Sequence, residues 1–232
     1  LGQAVENDAE YVFTYGATQS NHAMQTAAAC RKLGLKPVLY LLDFVDTDAS
    51  NCKGNLLLDK IFGAEVHIIK TLPDETLFDS KERYMAYARS HMQKLEAAGH
   101  KCYSVPLGGS NFIGTTGFVA GYVELEEQLA AEGITADFIF HANGSGGTMA
   151  GLAIGKKLLD SSTTIISVDA AEHSADFMDE MVELGNAALQ WLGSNANMTA
   201  NDFCMDEDFF APGYEMPSEQ GSAAIKLLAR EE

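Results

Sequence analysis

A run of small residues breaks an apolar stretch at Phe140-His141-Ala142-Asn143-Gly144-Ser145-Gly146-Gly147-Thr148-Met149-Ala150-Gly151. Glycines at 144, 146 and 147 permit φ > 0 and let a ligand approach the backbone. The apolar residues Phe138 to Ala142 predict a buried strand before the turn, and Met149 to Leu159 a helix after it. At such a turn backbone N–H groups converge on an anion, the helix dipole favours negative charge, and Ser145 and Thr148 add hydroxyl donors. The chemistry served is phosphate binding; a tight turn needed only for packing is the alternative. The stretch lacks the Lys-Ser/Thr of a Walker loop and the G-x-G-x-x-G spacing of a dinucleotide fold, so another phosphorylated cofactor is implied.

A second strand-loop-helix unit runs through Gly16-Ala17-Thr18-Gln19-Ser20-Asn21-His22. Its side chains are polar where the first loop is bare backbone, which suits a substrate or a cofactor ring. Ser20, Asn21 and His22 also suit simple helix capping, and the local pattern leaves both open. His22 is a candidate base, although a histidine in a first helical turn tends to stay neutral and only donate a hydrogen bond. His67, His91, His100, His141 and His173 form no metal-spaced pair, so no metal role is expected. The string Asn143-Gly144-Ser145-Gly146-Gly147 has the wrong spacing for a nucleophile elbow, which argues against a serine hydrolase. Glu126-Glu127 and Asp206-Glu207-Asp208 read as solvated faces.

The elements that must carry these loops alternate. Strands are expected at Tyr11 to Tyr15, Pro37 to Leu42, Glu65 to Ile69 and Lys101 to Val105. Helices fall between them: one alanine-rich to Leu33-Gly34, one over Leu56 to Phe62, and a long one after Pro73 with Tyr84, Ala88, Met92 and Leu95 on one face. Pro106-Leu107-Gly108-Gly109-Ser110-Asn111 has the composition of a crossing loop, which divides the chain into a small domain, 1–105, and part of a larger one, 106–232. Beyond it come a helix through Phe118, Tyr122, Leu125 and Leu129, the glycine-loop unit, a strand over Thr164 to Asp169 and a helix over Ser174 to Leu192. Asn201 to Glu215 reads as strand plus loop. Alternating βαβ order predicts an α/β fold with parallel sheets flanked by helices, and ligands at the strand ends between the two domains.

The chain has 232 residues, 47% of them hydrophobic, and a net charge of −18. Nucleic acid and anionic membranes are therefore excluded as partners, and an anionic cofactor must be held by local dipoles against the global field. Cys30, Cys52, Cys102 and Cys204 match no zinc spacing and sit among apolar neighbours, as small core residues in a reducing, cytoplasmic compartment would. No run has the length of a membrane helix. Leu1 is not an initiator methionine, and Glu219 to Glu232, an amphipathic helix with Ala223, Leu227 and Leu228 on one side, stops without a cap, so a fragment truncated at both ends is expected.

Taken together, Gly16 to His22, Pro106 to Asn111, Gly144 to Gly151 and Pro212-Gly213-Tyr214 resemble, in order and over nearly the whole chain, the D-cysteine desulfhydrase and 1-aminocyclopropane-1-carboxylate deaminase family. These are fold-type II pyridoxal-phosphate enzymes of the tryptophan synthase β type. The resemblance implies pyridoxal 5′-phosphate with its phosphate on Asn143, Gly144, Ser145, Gly146, Gly147 and Thr148, and Asn21 on the ring hydroxyl. It places Ser20, Asn21 and His22 toward the substrate, with Ser20 and Tyr214 in catalytic positions. For the intact protein it implies β-elimination on a small amino acid such as D-cysteine, giving pyruvate, ammonia and hydrogen sulfide. Alternatives are ring-opening deamination of 1-aminocyclopropane-1-carboxylate, a cysteate sulfo-lyase, or a non-catalytic ligand-binding homologue. A homodimer is the family's usual assembly. The family's cofactor-bearing lysine lies upstream of position 1, and Lys32 and Lys53 are poor substitutes, so this chain by itself is expected to bind cofactor weakly and not turn over. The family also carries a glycine where Ala17 stands, an arginine near Met24 and a glycine where Glu215 stands.

Overall fold

The computed structural model describes residues 1–47, 52–70, 72, 81–214 and 216–231. Pro73, Glu215 and Glu232 lie outside the described residues. The chain folds as two compact units, Leu1–Gly108 and Gly109–Glu232.

The first unit is built on four parallel strands, β1 (Tyr11–Ala17), β2 (Lys36–Asp43), β3 (Glu65–Lys70) and β4 (Cys102–Ser104), in the order β3-β2-β1-β4. Its helices are the short α1 (Gly2–Glu6), then α2 (Asn21–Leu33), α3 (Gly54–Ile61) and α4 (Lys81–Ala97). Helices cover both faces of the sheet, so the central strands are continuously apolar rather than alternating. Val38, Tyr40 and Leu42 of β2 pack with Phe13 and Tyr15 against Tyr84 and Ala88 of α4. Leu39 and Leu41 point the other way, onto Ala23 and Ala27 of α2 and Leu56 of α3. Each fully buried Val, Leu or Phe side chain among these contributes about 1.5–3 kcal/mol. Helix α2 ends where Gly34 takes the left-handed conformation, φ 74°, and returns N–H groups to the last turn.

The second unit holds β5 (Phe138–Asn143), β6 (Thr164–Asp169) and the two-residue β7 (Met205–Asp206), parallel and in that order. With them go α5 (Phe112–Glu132), α6 (Gly147–Leu159), α7 (Phe177–Trp191) and α8 (Glu219–Glu231). The strand expected from Phe138 is present, but it is not buried. Phe138 and Phe140 are 58% and 65% exposed, while Ile139 packs on Tyr122, Leu152 and Ile165. The strand lies at a sheet edge with helices on one face only among the described residues, so its apolar run splits by alternation. Helix α7 begins at Phe177 rather than Ser174, because Ser174 to Asp176 form the turn that enters it. Among the described residues of the Asn201 to Glu215 segment, only Met205–Asp206 pairs as a strand. Helix α8 has no buried residue. Cys30 is buried, but Cys204 is exposed and is not a core residue.

Glycines let α5 and α6 approach. A Cβ on Gly151 would lie 2.4 Å from Phe118 Cβ and 2.6 Å from the Thr115 carbonyl, and one on Gly155 would lie 2.7 Å from Tyr122 Cβ. Gly121 of α5 meets nothing within 4 Å. Helix propensity alone favours alanine over glycine by about 1 kcal/mol at either site. Gly121→Ala is therefore expected to stabilise by about 0.5–1 kcal/mol, whereas Gly151→Ala is expected to destabilise by about 1–3 kcal/mol through overpacking. Urea unfolding of the two variants checks the opposed signs.

Candidate functional site

The glycine loop joins β5 to α6. Gly146 is the N-cap of α6, in the left-handed region at φ 81°, and has no side chain with which to cap it. The first N–H groups of a helix have no intrahelical acceptor, so those of Thr148 and Met149 are left for something else. The first turn of α6 carries no acidic residue, in contrast to that of α7, which carries Asp179 and Glu180. In a chain of net charge −18 this clears the α6 start for an anion.

The loop is braced by a residue distant in sequence. Gly147 N–H donates to Ser110 Oγ at 3.1 Å, and Ser110 Oγ donates to Ser145 Oγ at 2.6 Å. Ser145 therefore accepts from Ser110 and keeps its own proton to donate elsewhere. Gly147 spends its N–H inside the fold and does not present it to a ligand. A Cβ on Gly147 would come within 2.7 Å of Ser110 Oγ, and one on Gly146 within 2.0 Å of Met181 Sδ, but one on Gly144 meets nothing within 4 Å. Gly146 and Gly147 thus serve packing as well as conformation, and the open side of the loop is at Gly144, Ser145 and Thr148. Neighbouring Ser110, Asn111 caps α5 by accepting from Gly114 N–H at 2.7 Å.

Asn143 is buried at the end of β5. Its Nδ2 donates to Asp169 Oδ1 at 2.7 Å, His173 Nε2 lies 3.3 Å from the same oxygen, and the His173 ring stacks on Phe177 at 3.8 Å. Asn143 Oδ1 and His173 Nδ1 are buried without partners among the described residues. The Asn143 side chain therefore ties β5 to β6. Ala170, directly after Asp169, lines a cleft of about 340 Å3 with Phe209, Phe210 and Tyr214. The fold thus brings Tyr214 to the end of β6.

In the first unit Ser20 caps α2, its Oγ accepting from Ala23 N–H at 3.1 Å. The capping alternative is thus realised, and the Ser20 hydroxyl proton remains available to donate. No acidic residue occupies the first turn of α2 either. Asn21 is exposed, and its Oδ1 accepts from Asn55 Nδ2 at 2.8 Å, which leaves its Nδ2 hydrogens as the groups to present. Asn55 also donates to the Gln19 carbonyl, and its N–H donates to Gln19 Oε1. A Cβ on Gly54, where φ is +55°, would sit 2.3 Å from Gln19 Oε1. Sequence reasoning placed Ser110 in a motif without giving it a role, and passed over Gly54 and Asn55. Only the glycine at 54 and the Gly-Gly-Ser-Asn string gave any sign of them.

His22 is settled by a hydrogen-bond chain. Thr14 Oγ1 donates to the Val105 carbonyl at 3.1 Å, so His22 Nε2, 2.7 Å away, must donate to Thr14. Burial pushes the imidazole down from 6.5 to about 4. His22 is a neutral donor whose Nε2 is not a base. Asp59 on α3 has the opposite character. Both its carboxylate oxygens are buried without partners among the described residues, and burial pushes it up from 3.8 to about 7. Lys53 and Lys32 are exposed, at the N-cap of α3 and in the last turn of α2. The histidine spacing hid one cluster: Glu65 and His67 of β3 meet His91 of α4 with their ligand atoms all within 4.8 Å.

The signs of these two shifts are testable. An unfolded histidine takes up its proton below about 6.5 and the folded one only near 4, so the stability that depends on neutral His22 is complete above 6.5 and drains as pH falls toward 4. For Asp59, stability is lost as pH rises from 3.8 through about 7. His22→Gln is expected to remove the first dependence and Asp59→Asn the second. Urea unfolding of each variant against the parent from pH 4 to 8 checks both.

Comparison with known proteins returns a consistent set. Residues 3–232 match the family model described as pyridoxal-phosphate dependent enzyme. The chain is 36% identical over 241 residues to a D-cysteine desulfhydrase of Serratia proteamaculans (strain 568), covering 99% of this chain and 66% of that protein. It is 37% identical over 231 residues to a D-cysteine desulfhydrase of Klebsiella pneumoniae (strain 342), covering 98% and 66%. The solved structure of an ACC deaminase homologue aligns with a TM-score of 0.81 at 30% identity, over 99% of this chain and 65% of that one. The chain thus spans 66% of the length of the curated relatives it matches.

Proposed function

Because the chain belongs to the family of pyridoxal-phosphate dependent enzymes, we propose that the start of α6 holds the phosphate of pyridoxal 5′-phosphate and that the intact protein carries out β-elimination on a small D-amino acid such as D-cysteine. The observation that carries the first part is the glycine-capped, acid-free first turn of α6 beside Ser145, whose hydroxyl accepts from Ser110 and so keeps its own proton to donate. These residues fit a phosphate dianion: first-turn N–H groups, the Ser145 and Thr148 hydroxyls, and open space at Gly144. The substrate assignment follows the D-cysteine desulfhydrases to which the chain is similar.

Each remaining role is one that a named group can play. Asn21, with Oδ1 held by Asn55, offers Nδ2–H to the ring hydroxyl. Ser20 and the first N–H groups of α2 offer donors to a carboxylate, with no acidic side chain in that turn to oppose it. His22, fixed as a neutral donor to Thr14, keeps the α2 start from carrying a titrating charge. Tyr214 shapes the cofactor's surroundings from its cleft. The bound cofactor supplies an electron sink for the carbanion that forms at the substrate Cα. No disulfide joins the four cysteines, in keeping with a reducing, cytoplasmic compartment, and no helix among the described residues is long and apolar enough to cross a membrane. We propose a homodimer on the family's habit.

A second reading, deamination of 1-aminocyclopropane-1-carboxylate, is favoured by the likeness to the ACC deaminase homologue. Assay of the full-length protein with both compounds separates them. Pyruvate and sulfide from D-cysteine are expected, and 2-oxobutanoate from the cyclopropane without sulfide from D-cysteine would reverse the assignment. Thr148→Val in the same protein is expected to weaken cofactor retention about tenfold or more, the worth of one hydrogen bond to a charged group. Equilibrium dialysis against pyridoxal 5′-phosphate measures it, and unchanged affinity would remove Thr148 from the phosphate site.

A further inference from the structure

We propose that Glu65, His67 and His91 form a binding site for a divalent transition metal ion of the zinc type, toward the amino end of β3 and so at the opposite end of the strands from the Thr18 to His22 loop. His67 Nε2 lies 2.8 Å from Glu65 Oε1, and His91 Nε2 lies 3.8 Å from the same oxygen. The three ligand atoms fall within 4.8 Å of one another. Tetrahedral zinc, with nitrogen and oxygen donors at about 2.0–2.2 Å, needs donors about 3.3 Å apart. A shift of about 1.5 Å at most therefore completes three corners, and water supplies the fourth.

Both imidazoles are held in place by groups other than the carboxylate. The Tyr40 hydroxyl lies 3.2 Å from His91 Nδ1, and the His91 ring sets its edge to Phe13 at 5.3 Å. The His67 ring stacks on Tyr40 at 4.5 Å and 12°. A histidine that donates Nδ1–H to a neighbouring oxygen presents Nε2 as a lone pair, which is the outer-shell arrangement that orients metal-bound histidines. The site is reachable, since the Glu65 side chain is 50% exposed and those of His67 and His91 are 35% and 21% exposed. Two imidazoles and one carboxylate select zinc, cobalt, nickel or copper over the oxygen-seeking magnesium and calcium. The competing arrangement is an ion pair between Glu65 and His67 with His91 merely nearby. An ion here would fasten the edge strand β3 to α4.

The test is calorimetric titration of the cofactor-loaded full-length protein, thiols alkylated, with zinc chloride, and cobalt chloride absorption as a second reading. One ion per chain is expected, with cobalt bands of nitrogen and oxygen ligation. His67→Ala and His91→Ala are each expected to weaken binding about tenfold or more, and Glu65→Gln, which keeps the side-chain shape, to weaken it as well. His100→Ala, whose ring pairs with Glu10 at 3.1 Å in a separate surface contact, is expected to leave it unchanged. A melting temperature that rises with zinc in the parent but not in Glu65→Gln would support the tie between strand and helix. No saturable binding, or binding undiminished in Glu65→Gln and in whichever histidine variants fold, would overturn the proposal.

Discussion

Parallel strands can be joined only by a segment that returns across the sheet, and that constraint sets where chemistry can occur in this molecule. In each unit a strand ends, the chain turns, and a helix begins at the same edge. The turn after β1 leads into α2 and the turn after β5 into α6, so two helix starts fall at strand ends. Neither first turn contains an acidic side chain, although acidic residues outnumber basic ones 33 to 15 in the chain. Partial positive charge at a helix start can oppose repulsion from the body of the protein, because it acts at short range.

The two helix starts are finished differently. At α2 a side chain, Ser20, occupies one of the first N–H groups, and the neighbouring polar residues are locked by Asn55 and by the Thr14–His22 contact. At α6 a glycine caps nothing, and the bracing comes from Ser110, whose Oγ accepts from the Gly147 N–H and donates its own O–H to Ser145 Oγ. The first gives shaped, oriented side chains, as recognition of a varied group requires. The second gives backbone donors, as recognition of a phosphate requires.

Much of this was legible in the sequence because it is written locally. Gly34 and Gly133 mark helix ends through left-handed turns, the apolar runs of β1 and β2 announce strands buried on both faces, and the four motifs identify the family that the comparisons show. What was not legible depends on contacts across long stretches of chain. Ser110 reaches a loop 35 residues away, Asn55 one 34 away, and nothing local to either serine or asparagine says so. The run Phe138 to Ala142 looked buried because its composition is apolar, yet composition does not record that, among the described residues, helices cover one face only. Glu65 and His67 lie close in sequence but His91 is on another element, so a rule based on ligand spacing passes over a cluster that the packing of α4 on the sheet assembles.

The glycine stripe from Gly147 through Gly151 to Gly155 has a bearing on how the loop can vary over evolutionary time. Four of the five glycines from 144 to 155 are pressed against side chains or backbone of α5, α7 or the Ser110 turn, so their replacement is penalised by packing whether or not any ligand is present. Gly144 alone of the five borders open space and lacks a left-handed φ. Under the phosphate role proposed above, selection for a folded protein and selection for a ligand would act on different letters of one short string. Drift at residue 144 would record a relaxed demand for the ligand, while the other four would keep the same residue long after that demand had gone.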